Sequence, residues 1–275
     1  MSEPVCLENR VVLCVDGADA DTFLNGLLTN SMTGMAKGEM RYAALLMPQG
    51  KIISDLLALR TPVGFLLDVP AQADEALAKR LNMFKLKAKV DVRIRDDLAV
   101  YAFVKDGLID PRNVNMPRRS IDKKDLWDNK SRRAYDIECI KNGVPEQGKD
   151  FGENEVFPAD VNMDMLNGVD FKKGCFVGQE VVSRMKRRAT ARRRTLGFHF
   201  PAGAPDSHTP ISIGGTNIGQ ITSSKSEYAF ALVRIDRMAK AQNEHGDAFL
   251  ANEREASLIE PEWLAEQIKA VTSSG

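Results

Sequence analysis

Phe171-Lys172-Lys173-Gly174-Cys175-Phe176-Val177-Gly178-Gln179-Glu180 is the stretch around which the chain is organised, and it continues as Val181-Val182-Ser183-Arg184. One cysteine, two lysines, two glycines and a Gln-Glu pair fall within ten residues. Glycine suits tight turns and close approach of backbone to a ligand. Residues 179–185 read as a helix, with Glu180 in the first turn, where the helix dipole favours a carboxylate. Cys175 then stands just before a helix N-terminus beside two lysines, and both features stabilise a thiolate. The alternative is a buried, inert cysteine at a loop–helix junction, because free cysteine is among the most buried residue types.

On the N-terminal side, residues 11–15 form a short apolar strand ending at the Asp16-Gly17 turn. Asp19 or Asp21 caps a helix with Phe23, Leu24, Leu27 and Leu28 on one face, closed by residues 29–31. Residues 42–47 and 52–59 make a hairpin through Pro48-Gln49-Gly50-Lys51, and 64–69 is a further strand. Residues 71–86 are an amphipathic helix with Leu77, Leu81 and Phe84 at helical spacing. Residues 90–95 alternate as a half-buried strand, and 98–104 is another. Residues 110–128 hold Pro111, Pro117 and several arginines and read as loop or linker. A helix from Ser131 to about Lys141 stops at Asn142-Gly143-Val144-Pro145.

Beyond the opening stretch, short strands at 195–200, 211–213, 217–222 and 228–235, separated by Gly, Pro and Ser, read as a small β-barrel or sandwich. A short helix spans 261–268, and residues 272–275 fray. Helices mixed with antiparallel neighbours give an α+β class. The domain boundary falls near Arg192, dividing the chain into 1–191 and 192–275.

The 275 residues are 43% hydrophobic and 28% charged, a soluble globular profile. Lys plus Arg and Asp plus Glu both number 38, which argues against a general polyanion binder but leaves room for a local basic patch. No apolar run can span a bilayer, and Met1-Ser2-Glu3-Pro4 does not open a signal peptide, so no membrane partner is expected. Cys6, Cys14, Cys139 and Cys175 have no C-x-x-C spacing, so a zinc or cluster site of local ligands is not expected and a reducing, cytoplasmic location fits. His199, His208 and His245 form no metal motif and read as surface or loop residues.

Lys173-Gly174-Cys175-Phe176-Val177-Gly178-Gln179-Glu180 resembles the K-G-C-[FY]-x-G-Q-E motif of the YgfZ family. Those are folate-binding proteins of iron–sulfur cluster maturation, related to the T-protein aminomethyltransferase of the glycine cleavage system. The likeness extends over Asp16-Gly17-Ala18-Asp19-Ala20, Tyr135, Gly143-Val144-Pro145, Gly168-Val169-Asp170-Phe171 and Gly214-Gly215-Thr216-Asn217-Ile218-Gly219. It implies a T-protein-like body of two folate-binding lobes plus a C-terminal β-barrel, around a central hole. It implies tetrahydrofolate or a derivative as cofactor. Lys173, Gly174, Gly178, Gln179, Glu180, Asp55 and Tyr135 are then the candidate contacts, and Cys175 the candidate reactive thiol and transient metal ligand.

Two positions depart from the T-protein pattern. Its catalytic acid aligns with Ser54, whose hydroxyl cannot supply a carboxylate's charge or take its proton. Its pterin-binding glutamate aligns with Lys141, with Cys139 at the companion arginine position, and an ammonium accepts no hydrogen bond.

Three functions follow. The first is a folate-binding accessory protein for iron–sulfur enzymes or cluster carriers, acting through Cys175. Gln179 and Glu180 then either fix the loop and cap the helix or face the cavity. The second is a folate-dependent one-carbon transferase, which Ser54 opposes, or a tRNA-modification factor. Six arginines and Lys186 within 184–194 would follow a phosphate backbone, or else form a solvated linker. The third is a docking module with a vestigial cavity. The first best joins the cysteine, the composition and the missing acid.

Overall fold

The computed structural model describes residues 3–127, 131–188 and 191–272. The chain opens with β1 (Val5–Cys6) and β2 (Arg10–Asp16), then α1 (Ala20–Leu27). The hairpin of β3 (Met40–Leu46) and β4 (Ile52–Arg60) leads to β5 (Gly64–Pro70), α2 (Asp74–Phe84) and β6 (Asp91–Ile94). The strands assemble into a five-stranded antiparallel sheet, ordered β3-β4-β5-β2-β6. Near-continuous apolar runs are needed because both faces are covered. Ala43, Leu45, Leu56 and Leu67 pack under α1 and α2, while Tyr42, Ala44, Leu57 and Val12 face the rest of the body.

β7 (Leu98–Ala102) pairs with β1 and with β8 (Arg119–Lys123) in a separate three-stranded sheet. β8 lies inside the stretch expected to be loop. Its sequence, RSIDK, has no apolar run, and its pairing with β7 places Ile121 opposite Val100. α3 (Arg133–Lys141) starts two residues after the expected Ser131, and α4 (Gln179–Arg187) forms where the motif predicts it.

From β9 (Arg193–His199) the chain builds β10 (Pro210–Ile213), β11 (Thr216–Lys225), β12 (Tyr228–Arg234), α5 (Ile235–His245), β13 (Phe249–Ala251), β14 (Arg254–Ile259) and α6 (Leu264–Thr272). The strands close a six-stranded barrel, ordered β10-β11-β12-β9-β14-β13, with Ile213 opposite Phe249 at the seam. Closure removes the exposed sheet edges. Ile235, expected at a strand end, instead begins α5, whose Ile235, Met238 and Ala241 share the barrel core with Phe198, Ile218 and Phe249. Residues 273–275, most of the tail expected to fray, lie outside the described residues. Among the described residues no helix is long and apolar enough to cross a membrane. The architecture is an α+β body carrying a closed barrel.

Candidate functional site

The Cys175 loop is tied down at both ends. Asp170 Oδ1 accepts from the backbone N–H of Lys172 at 2.8 Å and of Lys173 at 3.2 Å, a side-chain-made turn. Gln179 Nε2 donates to the Gly174 carbonyl at 3.3 Å and sits 3.5 Å from that of Lys173. Phe176 is buried beneath, and Gly178 starts α4 at φ +79°. An added Cβ on Gly178 would lie 2.7 Å from the Met47 carbonyl oxygen, so both conformation and space demand glycine. Met47 and Gly50 belong to the turn between β3 and β4, which therefore seats α4.

Cys175 stays exposed, whereas Cys6 is half-buried and Cys14 and Cys139 are buried. Burial pushes the Cys14 thiol up to about 11 and the Cys139 thiol well above its ordinary range. Cys175 is thus the thiol of the four best able to meet a partner.

Lys173 does not face that thiol, contrary to expectation. Its ammonium turns into the body and donates to the carbonyls of Asn25 at 2.6 Å, Leu28 at 2.8 Å and Asn30 at 3.0 Å. These include acceptors that the end of α1 leaves orphaned. Burial pulls Lys173 down to about 8, against the opposing pull of Asp170. With all three donors engaged, Lys173 fastens the loop to α1. Gln179 pins the loop, Glu180 is exposed in the first turn of α4, and Gly174 faces open space.

Asp55 and Tyr135 belong to a different group, a buried ionic network. Arg10 Nε bonds Asp68 Oδ1 at 2.5 Å, and its Nη1 lies 3.4 Å from Asp55 Oδ1. Arg119 bridges Asp68 at 2.5 Å and Asp110 at 3.0 Å. Arg112 grips Asp110 through Nη2 at 2.7 Å and Nε at 2.9 Å. The Tyr135 hydroxyl accepts from Arg112 at 3.1 Å and Arg119 at 3.2 Å, and Tyr42 donates to Asp55 at 3.1 Å. Buried charges persist only when paired, and here three arginines face three aspartates. Burial opposes the Asp110 carboxylate, yet Arg112 and Arg119 hold its pKa far below the usual range. Burial pushes both tyrosines strongly upward. Ser54 is also buried, and its hydroxyl donates to the Asp55 carbonyl at 3.1 Å.

Arg112 is also a wall of a cavity of about 420 Å³ at the junction of the C-terminal end of α3, β9 and residues 259–263. Lys141, Asn162 and Trp263 line it as well. Asn162 Nδ2 donates to the Thr195 carbonyl at 2.6 Å, but its Oδ1 is buried without a hydrogen-bond partner among the described residues. Lys141 Nζ lies 4.9 Å above the Tyr228 ring and 4.0 Å from Glu138. Tyr135 directly, and Asp55 through Tyr42, back Arg112 from behind. The candidates therefore separate into an outer loop around Cys175 and an inner pair behind the cavity wall.

The basic run divides too. Arg194 forks onto Asp164 at 2.6 and 3.0 Å, and Arg193 bonds Asp160 at 2.6 Å, so both anchor the barrel to the body. Arg184, Lys186, Arg187, Arg188 and Arg192 are exposed, while Ala189 and Thr190 lie outside the described residues. Sequence reasoning missed Arg10, Asp68, Asp110, Arg112 and Arg119. The available signal was a lone aspartate in each of two apolar strands, at Asp55 and Asp68.

Two family models match the chain: "GCVT N-terminal domain" over residues 11–103 and "CAF17, C-terminal beta-barrel domain" over 192–266. Similar curated proteins are named iron–sulfur cluster assembly factor IBA57, mitochondrial, or its homologue. The Phaeosphaeria nodorum protein is 31% identical over 75% of this chain and 58% of its own length. The Neurospora crassa protein is 27% identical over 73% and 54%, and the human protein 26% over 84% and 77%. The chain thus spans little more than half the length of those two fungal relatives. The glycine cleavage system aminomethyltransferase T from Bartonella henselae superposes with a TM-score of 0.72 at 16% identity, covering 96% of this chain and 86% of that one. The chain has the T-protein fold with a closed C-terminal β-barrel, and its named relatives are iron–sulfur cluster assembly factors.

Proposed function

We propose that this protein is a folate-binding accessory factor in iron–sulfur cluster assembly, in which Cys175 transiently ligates iron or a cluster held jointly with a partner. The observation that carries this is an exposed thiol on a rigidly pinned loop, in a chain whose named relatives assemble clusters. One cysteine cannot hold a cluster, so the partner, an iron–sulfur enzyme or a cluster carrier, supplies the other ligands. On ligation the Cys175 thiol releases its proton to solvent. The division at Arg192 then separates a folate-binding body from a barrel. Four free cysteines suit a reducing compartment, and we assign the cytoplasm.

The residues around the cavity fit a folate. Its volume of about 420 Å³ lies within the range of small-molecule sites. The orphan Oδ1 of Asn162 offers an acceptor for a pterin N–H, replacing the absent glutamate. Trp263 supplies an aromatic wall, and Lys141 a cation for the glutamate tail. When bound, folate would bring a one-carbon carrier to the body. Titration calorimetry with tetrahydrofolate tests this: saturable binding by the wild type, weakened in Lys141→Glu, is expected. Binding only after Lys141→Glu would discard the site as drawn. For the thiol, Cys175→Ser should fold normally and lose support of iron–sulfur enzyme activity; full support by Cys175→Ser removes the thiol role.

A second reading rests on the exposed cations at the end of α4 and just beyond it, Arg184, Lys186, Arg187 and Arg188, which suit tRNA phosphates. Salt-sensitive retention of tRNA on filters by the wild type, lost on replacing these residues, is its test.

A further inference from the structure

α4 and α6 both line a cavity of about 160 Å³. Each helix gives it two residues spaced three apart, which share one face: Val182 and Met185 on α4, Gln267 and Ala270 on α6. Leu264 and Val271 of α6 go to the barrel core instead. Phe157, Met165 and Phe171 add to the apolar walls. One wall, Met165, is shared with the cavity that holds Lys141 and Trp263, so this is a second cavity and not an arm of the first. Its size suits one small molecule, since an apolar cavity of roughly 150 Å³ can bind benzene.

The polar walls are unequal in charge. Arg194 and Lys186 stand against one carboxylate, Asp164. Asp164 is engaged by Arg194, whose Nη1 and Nη2 reach it at 2.6 and 3.0 Å. The Lys186 ammonium lies 3.9 Å over the Phe171 ring, and Lys186 is exposed, so it marks the solvent side of the cavity.

Arg194 also carries an unmatched donor. The residue is 1% exposed, and its Nε is buried without a hydrogen-bond partner among the described residues. In the planar guanidinium, Nε–H lies on the same edge as one of the Nη2 protons. Nη2 gives its other proton to Asp164 and this one to Gln267 Oε1 at 2.8 Å. The free Nε–H is therefore aimed to the side of Gln267, which is a wall of the cavity. A buried donor left unmade is costly, and an occupant that brings an acceptor removes that cost.

We propose that this cavity binds a small monocarboxylate whose apolar body is the size of one aromatic ring. The body fills the space bounded by Phe157, Phe171, Val182 and Met185. One carboxylate oxygen accepts from Arg194 Nε–H, and the negative charge balances the surplus that Lys186 adds. A neutral molecule leaves the donor unmatched, and a cation adds to the surplus. The occupant joins the C-terminal helix to the helix that follows the Cys175 loop and steadies both. The site stands independently of the folate and cluster reading.

The test titrates the ¹⁵N-labelled full chain with benzoate, benzene and benzylamine. Benzoate should shift the amide signals of Val182, Met185 and Ala270 saturably, and bind about tenfold more tightly than either of the others. Saturating benzoate should slow hydrogen exchange across 179–187 and 264–272. Lys186→Gln should weaken benzoate about threefold and leave benzene unchanged. Ala270→Leu fills the cavity and should abolish binding, with circular dichroism reporting its fold. Excess tetrahydrofolate should leave benzoate in place. No saturable shift, benzene or benzylamine binding as tightly as benzoate, unchanged exchange, unchanged affinity in Lys186→Gln, full binding by folded Ala270→Leu, or displacement by tetrahydrofolate would each overturn the proposal. If Ala270→Leu does not fold, the ligand comparison and Lys186→Gln decide it.

Discussion

Arg119→Met puts the buried network to a direct test. The Arg119 side chain is about as buried as any among the described residues, and it links Asp68 to Asp110. Methionine fills a similar volume but leaves three aspartates facing two arginines, Arg10 with Asp68 and Asp55, Arg112 with Asp110. Breaking a buried ion pair from one side costs about 3–5 kcal/mol, because an uncompensated charge stays behind. In a domain of this size that lowers the melting temperature by roughly 10 °C. Urea unfolding at neutral pH should show the midpoint falling with an unchanged slope. The acid side changes as well. Asp110 has a depressed folded pKa, so its contribution is present above the ordinary aspartate value and is lost as pH falls towards the folded one. In Arg119→Met the depression relaxes, and the acid loss begins at higher pH. Adding Asp68→Asn should recover part of the stability. A cost below about 1 kcal/mol, the worth of an exposed pair, would refute the claim that this network is buried and paired.

Other outcomes are expected. Gly178→Ala forces an alanine into the left-handed region and against the Met47 carbonyl, and should cost at least about 1–2 kcal/mol while speeding hydrogen exchange across 173–180; unchanged exchange would mean that α4 is not seated by that turn. Lys173→Met leaves the carbonyls at the end of α1 unmatched and should destabilise by about 1–3 kcal/mol, with faster exchange in both α1 and the loop; faster exchange in the loop alone would contradict the anchoring role. Burial, with the nearby Glu146 charge, raises Asp150 to about 6 against the hydroxyls of Ser223 and Thr222. A raised carboxylate favours the folded state most at low pH, so its contribution falls as pH rises from about 3.8 through about 6 and is constant above. The stability of wild type relative to Asp150→Asn should fall across that window, by on the order of 1 kcal/mol for this partly buried group; a flat difference would show that Asp150 ionises normally.

The parts of the fold legible beforehand are those whose signal is local. Alternating or continuous apolar runs placed β2 through β7, helical spacing placed α1 and α2, and glycine with proline ended α3. The motif itself placed α4, since Gly178 followed by Gln-Glu is a helix start. β8 escaped because RSIDK shows no strand periodicity and depends on β7 for its ladder. α5 escaped because a preceding strand runs into Ile235 without a break in apolar character.

The site divides the same way. Cys175 could be chosen from the sequence because a thiol, glycines and a helix start are all close neighbours along the chain. The direction of Lys173 could not, since its partners are at Asn25, Leu28 and Asn30, well over a hundred residues away. Nor could the network of Arg10, Asp68, Asp110, Arg112 and Arg119, whose members come from four separate segments. Local composition and periodicity determined most of the elements, the class and the position of the Cys175 motif, because those depend on residues a few positions apart, and left open whether that thiol is exposed. Only tertiary structure decided which charges are buried and paired, because desolvation and Coulomb attraction act between groups that the fold brings together and sequence spacing does not.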